Sequence, residues 1–356
     1  MLGKGVWRVE VADRGGTNAV GTVPDVERIV VDRVRDDVSK AALRVAPLTD
    51  SCRRMLADVH PGRHEIVLYR DAVRVWEGPI TRLSLSSSVV EIDAADVVWY
   101  LSRRALAFDY NFTGRRQNTC VFLRDMVNAH GASDFNFNAV HIASADDVAT
   151  AAKWNRYSRT VFEVLDKYAE DSGIDYVVIG RTIYIYDTHT RVHVLPLLTQ
   201  AAFSSDLALV EYGSGLATRS VVTNGSEYSF AIADSKWLDY YGLLDHVSTN
   251  IQEGQGAADQ GEADEAREEQ SERTLINMVP APLDVLVPAN SSFDPCAPVD
   301  FPDLHPGAWA QIDAEVGFRR VVQWQRVDSI RVTVEGGSED VAVSFSQPPV
   351  RWVDPI

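Results

Sequence analysis

Apolar and polar residues alternate along most of the first part of the chain. Trp7, Val9 and Val11 alternate with Arg8 and Glu10, the period of a strand with one buried face. Ile29 with Val31, and Leu43 with Val45, repeat that period. Ile66 and Leu68, then Val73 and Val75, flank Arg70-Asp71, which predicts a hairpin turn. Ile80, Leu83 and Leu85 carry the apolar side of a further strand, with an irregularity near Arg82. Ser86-Ser87-Ser88 is a turn, after which Val90, Ile92 and Ala94 alternate with Val89, Glu91 and Asp93. Gly78-Pro79 breaks the run before Ile80, where a bulge or a close backbone approach is expected. Cys52, Leu56 and Val59 have the spacing of a short helix. Asp93 or Asp96 is placed to cap another, which buries Val97, Val98 and Leu101 and ends in Arg103-Arg104. Residues 1–105 thus read as a mainly antiparallel β domain.

The period then changes. Asn118 or Thr119 caps a predicted helix with Phe122, Leu123, Met126 and Val127 on one side, closed by Gly131. Residues 134–140 read as a polar-aromatic loop or edge strand. Thr160-Val161-Phe162-Glu163 is a capping box. Val161, Val164, Leu165 and Tyr168 follow at helical spacing, and Gly173 ends that helix. Ile174–Ile179 and Thr182–Tyr186 are two strands joined through Gly180-Arg181. Residues 106–195 therefore read as an α+β domain inserted between β domains.

Residues 196–250 and 276–350 return to strand patterning and form the second β domain. Ile330, Val332 and Val334 alternate, Gly336-Gly337 turns, and Val341, Val343 and Phe345 alternate back. The layout echoes the hairpin at 80–94. Between them lies an acidic segment, 251–275, whose 259–273 stretch has helix formers and hardly any apolar stripe. It reads as a solvated helix, with a partner-facing surface as the alternative. The fold class is mainly β with an α+β insertion: two antiparallel β-barrel-like tube domains plus the inserted domain.

Composition narrows the function classes. The chain has 356 residues, 46% hydrophobic and 24% charged, with a net charge of −17. That is ample for a sizeable core. The acidic balance argues against phosphate binding as the main task, because nucleic-acid contact needs basic patches. Cys52, Cys120 and Cys296 are far apart and odd in number, which fits synthesis in a reducing compartment and no zinc site. No run is long enough to cross a bilayer as a helix, and the start of the chain reads without a signal peptide. There is no P-loop, no H-E-x-x-H, no G-x-S-x-G and no dinucleotide-binding glycine pattern. His189 and His193, and His60 with His64, sit in extended or turn context and lack the further fixed ligands a metal needs. No catalytic, cofactor or metal residue is predicted, and the expectation is a non-enzyme.

One stretch resembles a known family. Arg70-Asp71-x-x-x-Val75-Trp76-x-Gly78-Pro79-Ile80, a serine-rich turn, Ile92-Asp93-Ala94-x-Asp96 and Leu101-x-x-Arg104 resemble the first barrel of siphophage minor tail proteins. Those proteins are similar to the baseplate hubs of contractile phages. The run Thr160 to Leu165, then Gly173-Ile174-Asp175-Tyr176 and Ile183-Tyr184-Ile185, resembles the inserted domain of the same family. The resemblance implies a tail-tip protein assembled in the host bacterial cytoplasm. It also implies three chains in a ring that continues the tail tube. The implied partners are the distal tail ring, the tape-measure protein and other minor tail proteins or fibres. DNA passes through such a ring without specific binding.

Two residue groups are then candidates for function. Trp237, Tyr240 and Tyr241 form an aromatic cluster suited to an interface. Glu91, Asp93, Asp313 and Glu315 lie at strand positions that an acidic channel lining would use, to repel duplex DNA. The alternative reading is a tail-associated cell-wall hydrolase or glycan-binding module. The hydrolase needs a zinc triad or Cys-His pair, and the binder needs stacked exposed aromatics; neither pattern stands out in the sequence.

Overall fold

The computed structural model describes all residues except 1, 47–48, 87, 113–116, 144–148, 151–152, 172, 189, 212–215, 224–227, 250–266, 269–270, 273–274, 276–282 and 347–356. Most of the acidic 259–273 stretch therefore lies outside the described residues. The N-terminal strands are β1 (Trp7–Asp13), β2 (Ala19–Val23), β3 (Val26–Val34), β4 (Lys40–Val45), β5 (His64–Arg70), β6 (Val73–Leu85) and β7 (Val90–Ala95). They lie in the order β2-β1-β5-β6-β7-β4-β3. The turn between β5 and β6 is Asp71-Ala72, with φ of 51 and 66, the left-handed pair that a tight hairpin needs. The irregularity expected near Arg82 is a register shift between Ile80 and Arg82.

One strand unites the two ends of the chain. Arg319–Glu335 pairs antiparallel with Trp309–Val316 through its first half. Through its second half it pairs with Ser338–Ser346 on one side and with β3 on the other. The N-terminal and C-terminal β segments are thus joined in one twelve-stranded sheet. They also share one core, in which Val9, Ile66, Ile80 and Ile92 belong to the same cluster as Ile312, Ile330, Val332 and Val343. Alternation explains this placement, since each of these residues is flanked by neighbours that point to the other face.

The α+β unit has its own core. Asn138–Ile142 runs parallel to Thr182–Asp187, which pairs antiparallel with Ile174–Ile179. The helices Thr119–Phe135 and Val161–Asp171 contribute Phe122, Leu123, Met126, Val164 and Leu165 to its cluster. Val97, Val98 and Leu101, on the 3-10 segment capped by Asp96, join the same cluster. The first helix does not stop at Gly131. It continues to Phe135 and closes on Asn136, which adopts φ 51. Gly131 serves packing instead: a Cβ there would lie 2.2 Å from the Phe137 ring.

The capping box forms in both directions. The Thr160 N–H donates to Glu163 Oε2 at 2.7 Å, and the Glu163 N–H donates to Thr160 Oγ1 at 3.2 Å. The first of these bonds holds the Glu163 carboxyl below its ordinary range. Thr160→Ala is expected to cost about 1 kcal/mol, read as a lower denaturant midpoint with an unchanged slope. An unchanged midpoint would show that the helix start is fixed by packing alone.

A small third unit follows. Arg219–Thr223, Tyr228–Ile232 and Asp245–Ser248 form a separate three-stranded sheet. The helix Ser235–Tyr241 covers one side of it, with Ala233, Trp237 and Leu275 as the buried cluster.

Candidate assembly surfaces

The four candidate acids share one face of the twelve-stranded sheet. Residues in register point the same way, so Glu91 and Asp93 lie beside Ser84 and Arg82 of β6 and beside Arg44 and Ala42 of β4. Arg82 donates to Asp93 Oδ2 at 2.9 Å and to Glu91 Oε2 at 3.3 Å. On the C-terminal half, Arg320 donates to Asp313 Oδ1 at 2.8 Å and stands opposite Glu315. That hydrogen bond holds the Asp313 carboxyl below its usual range. Arg331 pairs with Asp32, Arg28 with Glu335 and Arg44 with Glu27 on the same sheet. This face therefore carries charge in paired rows. Such pairs are exposed and add little stability, but they leave few bare carboxylates.

The aromatic cluster divides. Trp237 is only 1% exposed, so it is core and not an interface residue. Its ring stacks on Tyr241 at 5.7 Å, and Tyr241 meets Tyr240 edge-on at 4.7 Å. Tyr240 alone of the three is well exposed, at 64%. The larger apolar surface of this unit is on the other side of its sheet. Tyr228, Phe230 and Ile232 alternate with half-buried Ser229 and Ala231 and are all exposed. That alternation stands in the sequence and is the signal that marks the strand as two-faced.

Buried ion pairs fasten the α+β unit to the twelve-stranded sheet. Arg181, at the tip of the hairpin between Ile179 and Thr182, reaches Glu65 Oε2 and donates to Glu77 Oε2 at 2.9 Å. Its Nε donates to the Asn136 carbonyl at 2.7 Å. Glu65 also accepts from the Tyr100 hydroxyl at 2.8 Å and the Gly15 N–H at 3.0 Å. Burial raises the Glu77 carboxyl against the pull of Arg181 and Arg74. A second group joins Arg35, Asp36, Asp175, Asp328 and Arg326. It links the end of β3, the strand Ile174–Ile179 and the long strand Arg319–Glu335. A third ties the N-terminal and C-terminal strands together: Arg70 and the Trp7 indole both donate to Glu339 at 2.7 Å. Burial works to raise Glu339, and these donors outweigh it, so its carboxyl sits below the usual range.

Asp36 gives this junction a pH dependence. Burial first, and then the neighbouring Asp175 carboxylate, push its pKa up to about 8. The folded state thus favours the protonated form more than the unfolded state does. The associated stability is fully present below the ordinary carboxylate range and is lost as pH rises through about 8. Asp36→Asn mimics the protonated form. Relative to that variant, the wild type is expected to lose stability between pH 5 and pH 9. Melting curves of both proteins across this range check it, and parallel curves would refute it.

The histidines have structural partners. His64 is buried, and its Nδ1 accepts the His60 N–H at 2.9 Å. The His193 and His305 rings lie tilted with centroids 5.0 Å apart, and burial, with Arg33 and His193 nearby, lowers His305 to about 4. His189 lies outside the described residues. Among the described residues no group of His, Cys, Asp and Glu is arranged to hold a metal ion.

The fold over nearly the whole chain resembles that of solved structures. The prophage tail protein gp18 from Listeria monocytogenes EGD-e superposes with a TM-score of 0.61 at 10% identity, over 95% of this chain and 94% of that one. The fold is that of phage tail proteins. The 43 kDa tail protein of prophage MuSo2 from Shewanella oneidensis matches at TM-score 0.59 and 10% identity, over 96% and 98% of the two chains. The E. coli c3393 protein is a type VI secretion component described as structurally similar to the T4 tail proteins gp27 and gp5. It matches at TM-score 0.51 and 10% identity, over 91% of this chain and 73% of that one. No family model matches the sequence, and no curated protein matches it. At such identities the likeness speaks for the fold, which physical packing preserves after sequence has diverged.

Proposed function

We propose that this protein is a structural component of a phage tail tip, a hub or minor tail protein of a long non-contractile tail. The carrying observation is the tail-protein fold over nearly the whole chain. In this reading three copies form a ring that closes the tail tube. The distal tail ring and the tape-measure protein pack against it, and fibres or other minor tail proteins attach to it. Shared sheets suit that task, because a stiff wall needs continuous hydrogen-bonded strands and buried fastenings between units.

The paired charges on the tube sheet support passage of DNA without capture. If the Glu91–Asp93 and Asp313–Glu315 face lines the channel, Arg82 and Arg320 are engaged by those acids and do not offer themselves to phosphate. Duplex DNA then gains little from counterion release. The test is direct: immunogold labelling of virions and mass spectrometry of purified tails should place the protein at the tip. A reconstruction should give it three-fold stoichiometry. Absence from purified tails would overturn the reading, and two or six copies would overturn the ring.

A further inference from the structure

We propose that the hairpin tip Gly317–Arg320 of one copy docks on the bare face of the 219–248 sheet of a neighbouring copy and so closes the ring head to tail. This rests on the ring reading above. At the tip Gly317 turns with φ 64, and Phe318 is 94% exposed. The Arg319 guanidinium lies over that ring at 5.8 Å, and Arg320 is held by Asp313. The tip is therefore an aromatic knob beside two cations, on an ordered hairpin of the tube sheet.

The receiving face is formed by Tyr228, Phe230 and Ile232, in register with Thr223, Val221 and Arg219. Val221 and Arg219 are in register with Val247 and Asp245 on the other side. Tyr228 is 69% and Phe230 50% exposed, whereas the opposite side of this sheet is covered through Trp237. The charged residues on the face, Arg219 and Asp245, satisfy each other through two bonds of 2.7 and 2.6 Å. What remains is an apolar surface with two aromatic rings. A knob with a guanidinium beside its ring complements it, by burial of Phe318 and by cation–π contact from Arg319.

Knob and face are both exposed, and among the described residues neither covers the other. A ring of three cannot close through one self-complementary patch; each chain must bring two different patches. The hairpin tip and the bare face are two such patches, on separate sheets.

The experiment places p-benzoylphenylalanine at position 318 and irradiates assembled particles. The expected product is an adduct of two copies of this chain, with the linked peptide inside residues 219–248. An adduct with a different virion protein, a self-adduct elsewhere, or no adduct overturns the docking. Phe318→Asp, at a fully exposed site, should melt like the wild type yet enter particles at least ten-fold less. Normal incorporation also overturns it. The two readings fail separately: wild-type chain missing from tails sinks the functional reading, whereas its presence with an adduct elsewhere sinks only this contact.

Discussion

Replacing Arg181 by alanine is expected to destabilise the protein by about 3–5 kcal/mol, because it leaves the buried Glu65 carboxylate without a cation and takes one of two cations from Glu77. Glu65 is fully buried and Glu77 nearly so. Arg181 lies between them and also donates to the backbone carbonyls of Phe135 and Asn136. Arg74 touches Glu77 as well, but it comes from the surface side and its bonds go to Glu77 and the Gly16 carbonyl. The Tyr100 hydroxyl and Gly15 N–H still serve Glu65, and neither carries a charge. Arg181→Lys should recover only part of the loss, since an ammonium cannot reach two carboxylates and two carbonyls with a planar fork. Urea unfolding at neutral pH measures the change. A loss below about 1 kcal/mol would mean that water enters the site and replaces the guanidinium. The same variant should loosen the α+β unit on the sheet first, seen as faster amide exchange near Thr182–Asp187.

The sequence makes some of this legible and hides the rest for physical reasons. Alternation at Trp7-Val9-Val11 and Val90-Ile92-Ala94 places β1 and β7, because a strand with one buried face has no other pattern. The Thr160–Glu163 box and the Asp96 cap are local motifs, and both are formed. Pairing over distance is not local. Nothing near Ile330 says that its strand will lie beside β3, some three hundred positions earlier. The fastenings are hidden because Glu65, Glu77, Arg70, Glu339 and Arg326 are charged residues in the interior. A single sequence presents such residues as surface until their partners are known. Trp237 misleads in the opposite sense: an aromatic run reads as an interface, and the helix turns its tryptophan inward. Gly131 reads as a helix end, and a ring from Phe137 occupies the space it leaves.

Gly78→Ala is expected to lower stability by about 3 kcal/mol, the upper part of the range for forcing an atom into a packed site. The Gly78-Pro79 pair marks a break in strand patterning, and two causes are open at such a glycine: a left-handed φ or a close approach. Gly78 is not among the glycines with positive φ, so backbone strain is not the reason. An added Cβ would stand 1.8 Å from the Ala95 carbonyl oxygen and 2.8 Å from Asp96 Cα. Relief requires β6 or the Ala95–Asp96 backbone to move. β6 is held on both sides at this point, Gly78 opposite Ile66 and Ile80 opposite Ala94. Asp96 is held more firmly still. Its carboxylate accepts the N–H groups of Ser39 and Val98, at 2.9 and 3.0 Å, and its own N–H donates to the Ser39 carbonyl. The clash therefore falls on the point where the twelve-stranded sheet turns into the first segment of the α+β unit. Alanine suffices to create it, and Gly78→Val should do no better. The melting temperature and urea midpoint of the alanine variant measure the effect. Values matching the wild type would show that β6 yields at Gly78 and that the close approach to Ala95 does not constrain the fold.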